Sequence, residues 1–238
     1  MELALLGAEV TLMARNEKKL KDAVKKLSSS QGQKHKYLVA DFQLPQVVAN
    51  SIKRHLDKKN IVNILVNNTG GPQGGNAVDA TNEDYLQAFN SHLICNNILM
   101  KAVLPAMKAS GYGRIVNIIS TSVKEPIPGL AVSNTIRAAV ANWSKTLAGE
   151  LGKFGITVNN ILPGYTRTAR YNAIVKSKTS ASKKTEKEVE ADFLADIPLQ
   201  KIGTPEEFGA AVAFLCSPAA SYITGINLPV DGGRLSCL

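Results

Sequence analysis

Cysteine is scarce in this sequence. Its three residues, Cys95, Cys216 and Cys237, are odd in number, far apart and without a CxxC pair. That argues against a disulfide framework or a cysteine-based zinc site, and for free thiols in a reducing cytosol. No apolar run approaches the roughly 20 residues a membrane span needs. The opening MELALLGAEV has neither the basic region nor the cleavage site of a secretory signal. Internal repeats, linkers and nucleic-acid-binding motifs are missing too. Acidic residues are outnumbered, 19 against 28 basic ones, giving a net charge of +9. The lysines gather at Lys18–Lys36, Lys53–Lys59 and Lys176–Lys187, which read as exposed helix faces or loops. They form a solvated surface first, and an attraction for phosphorylated cofactors or an acidic carrier protein second.

What is present is an alternation of strands and helices over a length of 238 residues, suited to one domain. Ala8–Ala14 is a short apolar run, and Asn16 caps a helix running to about Leu27. KYLVADF is a second strand, followed by a helix near Pro45–Leu56. Ile61–Asn68 is a third strand, apolar almost throughout, as a strand buried on both faces should be. A long helix is expected over roughly Glu83–Lys108, then a strand at Arg114–Ser120. Ile136, Val140, Trp143, Leu147 and Leu151 then trace one apolar helix face. Ile156–Leu162 is a strand, Pro205–Cys216 a helix and Ile226–Val230 a last strand. Such βα alternation predicts an α/β fold: a Rossmann-type, doubly wound parallel sheet with helices on both faces and ligands at the carboxyl ends of the strands.

Four motifs in order, NNTG (Asn67–Gly70), GRIVNIIS ending at Ser120, ITVNNILPGYTRT (Ile156–Thr168) and ITGINLPVDGG (Ile223–Gly233), resemble the short-chain dehydrogenase/reductase superfamily. The resemblance covers essentially the whole chain and points to the branch of 3-oxoacyl-[acyl-carrier-protein] reductases. It implies a nicotinamide cofactor held by Asn67, Asn68 and Gly70 after one strand and by Pro163, Gly164 and Thr168 after another. Arg15 matches the position that selects NADP, where a guanidinium can meet the 2′-phosphate bidentately; an NAD enzyme more often has Asp or Glu there. Asp41 matches the adenine contact, with a helix cap as its plain structural reading. Residues 171–193 match a mobile substrate lid within a single dinucleotide-binding domain spanning 1–238. The resemblance further implies a cytoplasmic homo-oligomer, tetramer or dimer, acting on a small molecule or acyl thioester.

Two departures qualify that picture. The superfamily opens with a strand and a TGxxxGxG turn that seats a pyrophosphate at a helix N-terminus, and no such glycine cluster occurs in the chain. The reading is a fragment or misplaced start, with roughly 20–25 residues of the first βαβ unit absent, and a sheet that lacks its first, central strand. The active site is also altered. The superfamily places a tyrosine thirteen residues after the strand-ending serine and a lysine four further on; here Ser120 is followed by Ser133 and Arg137 at those positions. The asparagine that completes the set corresponds to His92.

Carbonyl reduction needs a hydride and a proton for the forming alkoxide. A tyrosine phenol beside a lysine supplies that proton, and a serine hydroxyl is far less acidic. Loss of a general acid typically costs about 10²–10⁴-fold. His92 and Tyr165 are the replacement donors the sequence offers, each with a packing role as the alternative. An NADP-dependent oxidoreductase with an atypical site is therefore expected. The second reading is an inactive relative that binds a nucleotide or serves as an oligomeric scaffold.

Overall fold

The computed structural model describes residues 1–237 and consists of six parallel strands and nine α-helices among them. In order they are α1 (Glu2–Leu5), β1 (Thr11–Ala14), α2 (Glu17–Lys25), β2 (Lys36–Val39), α3 (Pro45–Leu56), β3 (Ile64–Asn67), α4 (Asn82–Phe89), α5 (Cys95–Ser110), β4 (Gly113–Ile118), α6 (Ala131–Leu151), β5 (Ile156–Pro163), α7 (Ala169–Ala181), α8 (Glu186–Ala195), α9 (Pro205–Cys216) and β6 (Asn227–Val230). The helix starts follow local chemistry. Asn16 accepts from Lys19 N to cap α2, and Thr81, Thr185 and Thr204 form capping boxes with Asp84, Glu188 and Glu207.

All pairings are parallel, but the strands form two sheets. One pairs β1 with β2, and the other runs β3-β4-β5-β6. Among the described residues no ladder bond joins β1 to β3. In the larger sheet β4 is buried throughout and β5 nearly so, because each is covered on both faces. Alternate side chains therefore feed two cores. Leu65, Ile115, Ile156 and Val158 pack with Val48 and Ile52 of α3, Leu99 and Val103 of α5 and Leu147 of α6. Val116, Ile118 and Ile161 pack on the opposite side with Val212 and Leu215 of α9, and Leu3 of α1 joins them.

Two sequence expectations are corrected. The long helix over 83–108 is not continuous: residues Asn90–Ile94 form a π-helical turn between α4 and α5. The wider turn accommodates an extra residue and re-aims His92 into the interior, where it is 2% exposed. The polar flap expected over 171–193 is instead two helices, α7 and α8, with their own small core of Tyr171, Val175, Val189, Phe193, Ile197 and Ile202. Its lysines mark only the outer face, and the apolar positions between them escaped notice.

No helix among the described residues is long and apolar enough to cross a membrane. The cysteines are unpaired, as expected, and burial pushes the thiols of Cys95 and Cys216 up to about 11 and about 12, which leaves them protonated and inert.

Candidate active site

The carboxyl ends of the strands carry most of the residues singled out in the sequence. Arg15 follows β1, is exposed, and enters no ion pair among the described residues. Asp41 follows β2, where its Oδ1 accepts from Gln43 N at 2.9 Å, so it shapes the turn into α3. Asn67 ends β3; Asn68 and Gly70 lie exposed in the turn beyond it. A side chain at Gly70 would meet nothing within 4 Å, which leaves the backbone open to a ligand. Pro163 ends β5, and Gly164 passes so near Asp231 that a Cβ there would lie 2.5 Å from Asp231 Cα. Thr168 caps α7, accepting from Tyr171 N.

The altered residues converge between β3 and β4. Arg137, 8% exposed on α6, donates from Nη1 to the Ile118 carbonyl at 2.7 Å and from Nη2 to the Thr69 carbonyl at 3.3 Å. It thus clamps the ends of two neighbouring strands. Ser120 lies two residues beyond Ile118, and its Oγ accepts from Ser122 N at 3.0 Å. Ser133 lies one helical turn before Arg137, on the same side of α6 and only partly buried. His92 Nδ1 shares a short hydrogen bond with Thr69 Oγ1. The Thr69 main chain and side chain therefore meet Arg137 and His92 respectively.

The electrostatics separate these groups. Burial, reinforced by the Arg137 cation, depresses the His92 pKa to about 3, so its imidazole is neutral at pH 7. Burial and the nearby Arg170 lower Arg137 to about 10, and it stays a cation at neutral pH. Tyr165 stacks on Phe193 with ring centroids 4.4 Å apart, and burial raises its pKa. At pH 7 the His92 imidazole therefore carries no second proton, and the Tyr165 phenol keeps its own.

A family model described as enoyl-(acyl carrier protein) reductase matches residues 1–234. The chain belongs to the short-chain dehydrogenase/reductase superfamily. Curated members similar to it include the NADPH-dependent reductase BacG of Bacillus subtilis, 30% identical over 177 residues, covering 74% of this chain and 68% of BacG. The 3-oxoacyl-[acyl-carrier-protein] reductase FabG of Chlamydia muridarum is 30% identical over 228 residues, covering 95% of this chain and 87% of FabG. Among solved structures, the L-sorbose reductase of Gluconobacter frateurii, complexed with NADPH and L-sorbose, superposes with a TM-score of 0.92 at 28% identity, covering 100% of this chain and 90% of that one.

In this short-chain dehydrogenase/reductase the sequence reading named Asn67 but missed the groups that hold it in place. Asn67 Nδ2 donates to Asn117 Oδ1 at 2.8 Å, Asn117 Nδ2 to Asn160 Oδ1 at 3.1 Å, and Asn160 Nδ2 to Asn227 Oδ1 at 2.8 Å. The four occupy matched registers on β3, β4, β5 and β6, so one row of amides crosses the larger sheet. Ser144 of α6 accepts from Asn117 Nδ2 at 2.8 Å and donates to the Val140 carbonyl, tying that row to the helix that carries Arg137. The available signal was an asparagine set within each of three apolar strands, RIVNIIS, ITVNNIL and INLPV. Thr69 and Arg170 gave no comparable signal.

Proposed function

We propose that this superfamily member is an NADP-dependent oxidoreductase that interconverts a carbonyl and an alcohol through an atypical site. The observation that carries the reading is the buried Arg137, which links the end of β4, two residues before Ser120, to the turn after β3. BacG and the L-sorbose reductase complex, both named for NADPH, support the cofactor. So do an unpaired Arg15 at the end of β1 and the open approach at Gly70. Asp41, Asn67, Asn68, Gly70, Pro163, Gly164 and Thr168 would line the adenosine and nicotinamide ends, with Arg15 on the 2′-phosphate.

When bound, NADPH supplies the hydride. The chain's own part is to orient the carbonyl and stabilise the charge that develops on its oxygen. Ser120 Oγ would donate to that oxygen. Two of the five guanidinium donors of Arg137 are spent on main-chain carbonyls, and the others remain to stabilise the alkoxide. Ser133 is too short and too weak an acid to protonate it directly, so the proton would come from water. Helices α7 and α8 would form the lid over the substrate. Homo-oligomer formation is proposed through α4 to α6, where Leu86 and Phe89 of α4 stand exposed.

The second reading, a nucleotide-binding or scaffold subunit without turnover, draws on one observation: serine and arginine stand at 133 and 137, where the superfamily has the proton-donating tyrosine and its lysine. Fluorescence titration with NADPH and assay of NADPH oxidation test both readings. The parent should bind NADPH, and the double variant Ser133→Tyr/Arg137→Lys, restoring the phenol and its lysine, should turn over carbonyl substrates about 10²-fold faster. A parent that binds NADPH but is wholly inert, with activity only in the double variant, would establish the second reading. A folded parent that fails to bind NADPH would sink the first. Arg15→Glu should reduce the preference for NADPH over NADH by about tenfold or more, since a charge-assisted hydrogen bond of roughly 1.5–3 kcal/mol is replaced by repulsion. Unchanged cofactor preference would remove Arg15 from the site.

A further inference from the structure

Gly71, the residue after the NNTG turn, marks a point on which two cations converge. A Cβ built there would lie 3.9 Å from Arg137 Nη2 and 4.0 Å from Arg170 Nη2. Arg137 is nine-tenths buried, and its recorded hydrogen-bond partners are main-chain carbonyls, which satisfy donors without neutralising charge. Arg170 lies in the first turn of α7, which contains no acidic residue. A cation there opposes the helix dipole, so its placement does nothing for the helix. Among the described residues neither arginine enters an ion pair, although Arg167, three positions earlier, is paired with Glu190 at 2.7 Å. Two guanidinium groups that repel each other beyond the end of a strand, with the N-terminus of a 13-residue helix beside them, concentrate positive charge of the kind that recognises an anion.

We propose that Arg137 and Arg170 together bind the carboxylate of the substrate, which is therefore a small oxo acid or its hydroxy acid. The proposal rests on the reductase reading for the carbonyl and extends it to the group that anchors the substrate. Planar guanidinium forks match a carboxylate bidentately, which a lysine would not. This accounts for an arginine in the helix position where the superfamily pattern has lysine. Arg137 would then face both ends of the substrate, its carboxylate and its reacting oxygen, while Arg170 touches the carboxylate alone. Because Arg170 is carried on α7, binding of the acid would also draw that helix toward the β3 turn.

The test titrates acetoacetate and methyl acetoacetate calorimetrically into parent and Arg170→Gln, each with and without saturating NADP⁺, alongside NADPH titrations. Arg170 is exposed, so the variant should fold normally; an unchanged melting temperature verifies this. The acid should bind the parent at least tenfold more tightly than the ester, and Arg170→Gln should abolish that difference while its NADPH affinity stays within twofold. Equal affinity for acid and ester, or binding of neither, overturns the proposal. So does a variant that loses NADPH affinity but retains the preference for the acid, because the arginine then serves a cofactor phosphate. A parent that prefers the acid yet fails to bind NADPH upholds the carboxylate site and removes the reductase reading instead.

Discussion

Below pH 6 the His92→Asn variant should be more acid-resistant than the parent. At pH 7.5 His92 is neutral in both the folded and the unfolded chain, so its titration contributes nothing. As the pH falls through 6.5 the unfolded chain binds a proton, and the folded chain does not follow until about pH 3, because burial and Arg137 oppose the imidazolium. Stability is thus lost throughout that window, by about 1.4 kcal/mol per pH unit and roughly 4–5 kcal/mol in all. That is a large part of a typical total of about 5–15 kcal/mol. His55, also depressed by burial and by Lys36, adds to the loss in the same direction. It is common to both proteins, so their difference isolates His92. Urea midpoints at pH 7.5, 6, 5 and 4 measure the effect. Curves that run parallel for parent and variant would show that His92 takes up its proton without penalty in the folded protein.

Asn117→Leu should be the most destabilising single change in the larger sheet at neutral pH, at about 3–5 kcal/mol. Asn117 is fully buried and makes three side-chain hydrogen bonds, to Asn67, Asn160 and Ser144. Leucine has similar bulk, so the effect is not that of a cavity. It arises because the Asn67 amide and the Asn160 oxygen lose their partners in a dry interior, at about 1–3 kcal/mol for each orphaned group. Asn67 Oδ1 already lacks a partner, so little slack remains at that end of the row. Asn227→Ala, at the half-buried end, should cost only about 1 kcal/mol because water can reach the freed group. Denaturant midpoints of the two variants, with unchanged slopes, would establish the gradient. Equal losses at Asn117 and Asn227 would show that neither burial nor the number of bonds at the centre of the row adds to the cost.

The fold was legible because its signals are local. Pro45–Leu56 and Pro205–Cys216 begin where proline suits a first helical turn, and both bounds agree with the structure. β4 and β5 announce themselves as apolar runs. The π-helical turn at Asn90–Ile94 was hidden because apolar spacing alone cannot register one extra residue in a long helix. The candidate site was legible only where motif spacing reached it, at Ser120, Ser133 and Arg137. The stacking of Tyr165 on Phe193 and the burial of His92 became visible only in the fold. Arg170 is one of many basic residues in sequence, and only folding sets it opposite Gly71. Proton affinity and charge pairing depend on burial and on neighbours distant in the chain, which no local pattern encodes.

The lacing of β3 to β6 has a dynamic consequence. These strands are joined by parallel backbone ladders and by the row of amides that crosses them. Amide protons of β4 and β5 should therefore exchange with solvent only through global unfolding, while those of the exposed turn at 68–70 exchange through local opening. Arg137, bonded to the Ile118 carbonyl that ends β4, is anchored to the part that opens last, and the turn offered to a ligand belongs to the part that opens first.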